Sequence, residues 1–292
     1  MAYLECIRAC NNARLADYVR WWVDGQVYGW IGVDFAAQLQ AFPEVFVSRA
    51  DGLHFPDTLQ TPAARTAAVD AVMRQLHAAG VVDTWVGETY PVVQAFGGAA
   101  VLEVERAAAA FLGVKSFGIH VNGLVQKADG LHVWTGVRTL RKPFWPGKLD
   151  QMVAGGMPTG MGLLENLIKE AQEEANIPAS LAARAQAVTQ ISYQQASWRG
   201  LENSTIFVYD LWLPEDFVPV NTDGEVERFH LLPLAEVARL TQAVNVFKDN
   251  CNLVNIDLLL RTGMIQPSWP EYAEIGRTLY EGGGQNTDLA LD

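Results

Sequence analysis

The segment Gly162–Ala175 (GLLENLIKEAQEEA) constrains the fold more than any other stretch of the chain. Leu164, Leu167, Ile168, Ala171 and Ala175 recur at helical spacing, which predicts a helix with one buried face. Asn176 suits a left-handed cap, and Pro178 blocks any continuation. Glu170, Glu173 and Glu174 therefore fall in the last turn, against the negative end of the helix dipole. Glu170 lies three and four residues before the other two, so the carboxylates share one flank. Each like-charge neighbour costs about 0.2–0.5 kcal/mol, and each acid at that end roughly 0.3–1 kcal/mol. A Glu-Glu pair on a surface helix is commonly just solvated. The preceding loop shifts the balance, because Gly155, Gly156 and Gly160 leave backbone bare enough to approach a ligand. A hard divalent cation on the acids, with a diphosphate between them and the loop, satisfies both features.

Gly155 followed by Lys169-Glu170-Ala171-Gln172-Glu173-Glu174-Ala175-Asn176-Ile177 resembles the Nudix box. Three positions depart from that pattern. Met161 stands where its first glutamate is expected, Lys169 replaces an arginine, and Asn176 replaces a glycine. Asn tolerates the left-handed conformation, and Lys keeps the charge but loses the bidentate fork. The segments beginning at His120 (HVNGLV), Pro146 (PGKLDQMVAGG), Asp216 (DFVP) and Asp223 (DGEVE) are similar to the Nudix branch related to thiamine pyrophosphokinase, which carries an extra N-terminal domain. The likeness runs from about Leu39 to Pro267, and that branch also has Lys-Glu at the box and lacks the first glutamate.

The resemblance implies an α+β chain, a Nudix α/β/α sandwich preceded by a smaller α/β N-terminal domain. The expected boundaries are 1–115 for that domain, 116–240 for the sandwich, and 241–292 for a helical extension packing on them. It also implies a magnesium-dependent diphosphatase, with manganese as a substitute. Metal would sit on Glu170, Glu173 and Glu174, and Glu225 or Glu227, placed at period two on an expected strand, would supply the carboxylate that Met161 removes. The substrate implied is a small organic diphosphate, thiamine diphosphate or its damaged oxo-type analogues, cut to the monophosphate. An ADP-ribose or dinucleotide pyrophosphatase is the first alternative. A Nudix-fold binding protein with lapsed chemistry is the second, and the intact acid cluster speaks against it.

Arg138, Arg141, Lys142 and Lys148 precede the glycine loop at a distance from which they would reach the diphosphate, together with the Gly155 and Gly156 amides. Trp134, Phe144, Trp145 and Trp198 are candidates to stack on a heteroaromatic ring, although such residues more often fill cores. The same holds for Trp21, Trp22, Trp30 and Trp85, expected to wall a cleft between the domains. The five histidines show no metal-ligand spacing. Helices are expected over 63–79, 104–112, 234–240 and 250–261, and strands near 26–33, 44–48, 90–96, 187–193 and 205–213.

A net charge of −12 argues against a nucleic-acid surface. Glu5 and Arg8 break any apolar run at the N-terminus, and no run is long enough to cross a bilayer. Three scattered cysteines make no disulfide framework. Cytoplasmic location, no membrane partner and a homodimer complete the expectations.

Overall fold

The structure, a computed structural model, describes residues 2–142, 144–243 and 245–282. The first part comprises α1 (Ala2–Cys10), β1 (Tyr18–Val23), β2 (Gln26–Gly32), α2 (Val33–Leu39), β3 (Val47–Arg49), β4 (Gly52–His54), α3 (Pro62–Ala78), β5 (Thr89–Val92), β6 (Leu102–Glu105) and the short α4 (Ala109–Leu112). Then follow β7 (Lys115–Lys127), β8 (Gly130–Arg138), β9 (Leu149–Gln151), β10 (Val153–Gly156), α5 (Leu163–Ala175), α6 (Ala179–Ala182), β11 (Gln186–Ser197), β12 (Gly200–Trp212), β13 (Val226–Pro233), α7 (Leu234–Thr241), α8 (Asp249–Arg261) and α9 (Tyr272–Glu281).

Asp24 and Gly25 both take positive φ, the turn a tight hairpin between β1 and β2 requires. These strands open a four-stranded sheet in the order β2-β1-β4-β3. Thr61 caps α3 by accepting from the Ala64 amide, and Val69, Val72, Met73 and Leu76 turn inward. They join Trp21, Phe46 and Phe55 in one core. β5 and β6 form a separate hairpin. The helix expected over 104–112 therefore begins only at Ala109, because Leu102 and Val104 are buried at period two in β6. Burial overrides local propensity there.

The second sheet has the order β11-β12-β7-β8-β13, with β10 on β7 and β9 on β8. Leu167, Ala171 and Ala175 of α5 pack against one face with Ile119, Val121 and Phe207. The other face, through Leu124, Val133, Ile191 and Val208, meets helices α7, α8, α1 and α9. The result is the expected α/β/α sandwich. One boundary shifts: Tyr3, Leu4, Ile7 and Cys10 of α1 are buried in this second core, so the first helix packs apart from the N-terminal unit. Arg261 ties Asp257 to Asp210, and Tyr280 donates to Asp257 at 2.7 Å, which fixes α9 on the same face. Residues 283–292 of the expected extension lie outside the described residues.

Within the N-terminal unit, Gly113 takes a φ of 58°, and a Cβ there would stand 1.9 Å from the Trp30 carbonyl oxygen, so only glycine fits. The two units meet where Arg199, at the end of the β11–β12 turn, donates to Asp83 through both Nε and Nη2. Among the described residues, no helix is long and apolar enough to cross a membrane.

Candidate active site

Helix α5 is capped at Gly162, whose amide donates to the Glu165 carboxylate, and is closed by Asn176 in the left-handed conformation. Its inward face places Glu174 over β10, where its carboxylate accepts from the Ala154 amide at 2.7 Å and is only 7% exposed. Glu170 lies against Gly155, where a Cβ would come within 2.4 Å of its carboxyl carbon. Glu173 is more open, and the Lys169 ammonium spans the two outer acids, 3.2 Å from Glu170 and 2.7 Å from Glu173. Part of the charge crowding inferred from the sequence is thus relieved within the helix.

Glu174 receives no such relief. Burial pushes its carboxyl well above the ordinary range, and the charges of Glu170, Asp150 and Glu225 add to the rise against the Ala154 N–H. Burial also raises Glu170, with Lys169 pulling the other way. A recessed carboxylate that feels three others and pairs with no cation among the described residues fits a hard divalent ion, and Glu170, Glu173 and Glu174 are the residues that would hold it.

The glycines serve a different purpose from the one expected. Gly155 and Gly156 belong to β10 and pair with Ile119 and Gly118, so they form sheet, not an anion-binding loop. Their bareness makes room for Glu170 above Gly155 and for Tyr90 above Gly156. Only Gly160 has the positive φ expected of the loop, at 80°.

The basic run disperses. Arg138 is spent on structure: its guanidinium donates to the carbonyls of Phe144 and Trp145 and to Asp150 at 2.7 Å. Lys148 binds Asp249 and Asn245 near the start of α8. Arg141 is exposed. Lys142 pairs with Glu225, which keeps it beside the acids. Glu225 and Glu227 do not share a strand face, because β13 begins at Val226 and a bulge separates Val226 from Arg228. Glu225 stays within electrostatic reach of Glu174, whereas Glu227 is taken by Arg228 at 2.8 Å.

Trp134 is a core residue. Phe144 packs under the Arg199 guanidinium at 3.8 Å and Trp145 near the Lys248 ammonium at 5.8 Å, while Trp198 is largely exposed. Trp21 fills the N-terminal core, Trp22 stacks on His54, Trp30 lies by Arg20, and Trp85 lies between Arg74 and His77. Their partners all belong to the N-terminal unit. That unit reaches the acids instead through Tyr90 and Arg106, which carried no local sequence signal. Glu202 of β12 was missed too. Burial raises its carboxyl, and Arg199 and Lys248 oppose the rise from nearby.

His120, Asp150 and Cys251 form a buried cluster with their ligand atoms within 4.8 Å of one another. It does not fit a metal. Arg138 and Lys248 already neutralise Asp150, Cys251 donates its thiol proton to it, and His120 bonds to Gln151. Burial and the Lys248 charge bring His120 down to about 4, so it stays neutral.

Comparison with known proteins assigns the family. Residues 2–116 match a domain of unknown function, DUF4743. The chain is 40% identical over 284 residues to Nudix hydrolase 24, chloroplastic, of Arabidopsis thaliana, covering 96% of this chain and 78% of that protein. It is 38% identical over 289 residues to Nudix hydrolase 20, chloroplastic, of the same plant, covering 95% and 77%. An uncharacterized protein of Saccharomyces cerevisiae, YJR142W, is 37% identical over 187 residues, 59% of this chain and 54% of that one. The cytoplasmic expectation is overturned by the two plant relatives, both of which are chloroplastic. With these relatives matching along almost its whole length, the chain belongs to the Nudix hydrolases, enzymes that act on diphosphate bonds.

Proposed function

We propose that the chain hydrolyses thiamine diphosphate, and its oxo-type damaged analogues above all, to the monophosphate. The observation that carries the site is Glu174, a buried carboxylate paired with no cation among the described residues and within electrostatic reach of Glu170, Asp150 and Glu225. Magnesium, or manganese in its place, would neutralise the diphosphate and orient water for in-line attack when bound there. Glu225, partly exposed and steadied by Lys142, takes the proton of the attacking water. The water oxygen bonds to the terminal phosphorus as the bond to the bridging oxygen breaks, which releases inorganic phosphate and the organic monophosphate.

The thiamine reading rests on the likeness of the segments at His120, Pro146, Asp216 and Asp223. A second observation supports a heteroaromatic partner. Arg199 and Lys248, whose charges act on Glu202, lie against the Phe144 and Trp145 rings, and Tyr90 feels the charge of both Glu202 and Glu170. A ring seated on these aromatics would offer its amino group or ring nitrogen to Glu202 while the diphosphate reaches the acids. The deciding experiment compares kcat/KM for thiamine diphosphate, oxothiamine diphosphate, ADP-ribose and dinucleotides with magnesium. The thiamine compounds are expected to lead; preference for ADP-ribose would replace this reading with the nucleotide one.

A further inference from the structure

The N-terminal unit enters the acidic site along one edge of its β5–β6 hairpin. The Thr89 carbonyl accepts from the Thr159 amide at 2.8 Å and its hydroxyl at 3.2 Å, pinning the segment between β10 and α5. Next to it, the Tyr90 hydroxyl lies over Gly156, where a Cβ would stand 1.8 Å away. Tyr90 is only 7% exposed, and its hydroxyl makes no hydrogen bond to another described residue. An unpartnered hydroxyl on an otherwise buried ring is a polar group that a ligand oxygen would satisfy.

Arg106 stands behind it. Its guanidinium lies 5.8 Å from the Tyr90 ring centre, donates to Glu88 at 2.8 Å, and feels the charge of Glu170. The corner that carries it is over-determined. Buried Glu105 accepts from the amides of Val86, Gly87 and Ala107, and the Arg106 amide donates to the Glu88 carbonyl at 2.8 Å. Among the described residues, the Arg106 side chain donates to Glu88 alone, so most of its fork is unused. A guanidinium cannot ligate a metal and repels one. Held beside carboxylates that would take a metal, it suits the anion that arrives with that metal, and its planar fork matches two phosphate oxygens.

We propose that Arg106 and Tyr90 bind the phosphate oxygens left free by the acidic site, so that the N-terminal unit completes the diphosphate site. The inference rests on the diphosphate lying at Glu170, Glu173 and Glu174. Calorimetric binding of methylenediphosphonate, a diphosphate that cannot be hydrolysed, tests it in millimolar magnesium. Arg106→Met is expected to weaken this binding roughly 10- to 100-fold, and Tyr90→Phe about 3- to 10-fold. Arg106→Lys should recover part of the loss. Magnesium binding without diphosphonate should be unchanged or tighter in Arg106→Met, since a cation beside Glu170 is gone. These opposite signs separate a binding role from a structural one. Equal diphosphonate affinity in wild type and Arg106→Met would overturn this inference alone, as would loss of both ligands in the Met and Lys variants together. A wild-type protein that binds no diphosphonate would overturn the acidic-site reading and this inference with it.

Discussion

Glu174 accepts a hydrogen bond from the Ala154 amide at 2.7 Å yet has no cation partner among the described residues, while Glu170 one turn earlier is paired with Lys169. A buried charge left in this state costs stability until a ligand cancels it. Glu174→Gln keeps an oxygen for the Ala154 amide and removes the charge. Without metal at pH 8, the variant is therefore expected to melt a few degrees above wild type. Magnesium should raise the melting temperature of the wild type, as binding to the folded state requires, and should do so far less in the variant. Thermal scans with magnesium and with chelator check both.

The pH dependence follows from the same groups. Folding raises Glu170 and Glu174 above their unfolded values, so the folded state holds protons more tightly than the unfolded one. Their contribution to metal-free stability is then greatest at low pH and is lost as pH rises from the ordinary carboxylate range through the raised values. Metal binding needs the ionised forms, so the stabilisation by magnesium should grow over that same window. Melting curves from pH 5 to 8.5, with and without magnesium, should diverge toward high pH; parallel curves would count against the metal site.

Gly155→Ala separates site from fold. The added methyl meets the flexible end of Glu170 at 2.4 Å, not backbone, so the carboxylate swings away while the strand survives. The melting temperature without metal should stay within about 3 °C of wild type, and magnesium affinity should fall by roughly tenfold or more. Loss of folding in this variant would mean that Glu170 is locked in place by its surroundings.

Glu225 and Glu227 make a paired test of the proton acceptor. Glu225→Gln is expected to lower kcat roughly 10- to 100-fold or more, with KM little changed. Glu227→Gln should match wild type, because its carboxylate is exposed and paired with Arg228. Met161→Glu should bring no gain, since Glu174 and Glu225 already crowd the site with carboxylates.

Much of this architecture was legible in the chain. The α5 periodicity, the Asn176 cap and the three acids are local features, read within a few turns of helix. What escaped was set at long range. Arg138 reads as a phosphate ligand until the fold brings the Phe144 and Trp145 carbonyls and Asp150 around it. The bare glycines read as an anion loop until Glu170 and Tyr90 are seen to occupy their space. Tyr90 and Arg106 sit more than sixty residues before the acids they face, in a strand and a turn that have no motif of their own. The tryptophans of the N-terminal unit were the conspicuous candidates, and they fill or edge their own unit.

Glu202→Gln asks whether the ring subsite is real. The substitution should raise KM for thiamine diphosphate several-fold and leave inorganic pyrophosphate hydrolysis unchanged, because only the former carries ring nitrogens for the carboxylate to meet. Equal effects on both would assign Glu202 to the packing around Arg199 and Lys248.

The most direct measurement is phosphorus NMR of thiamine diphosphate turned over by wild type and Glu174→Gln in magnesium. Wild type is expected to yield thiamine monophosphate and inorganic phosphate in equal amounts, and Glu174→Gln to be slower by at least about 100-fold. Turnover by Glu174→Gln at the wild-type rate, or wild-type turnover undiminished by chelator, would contradict a metal-dependent diphosphatase built on the α5 glutamates.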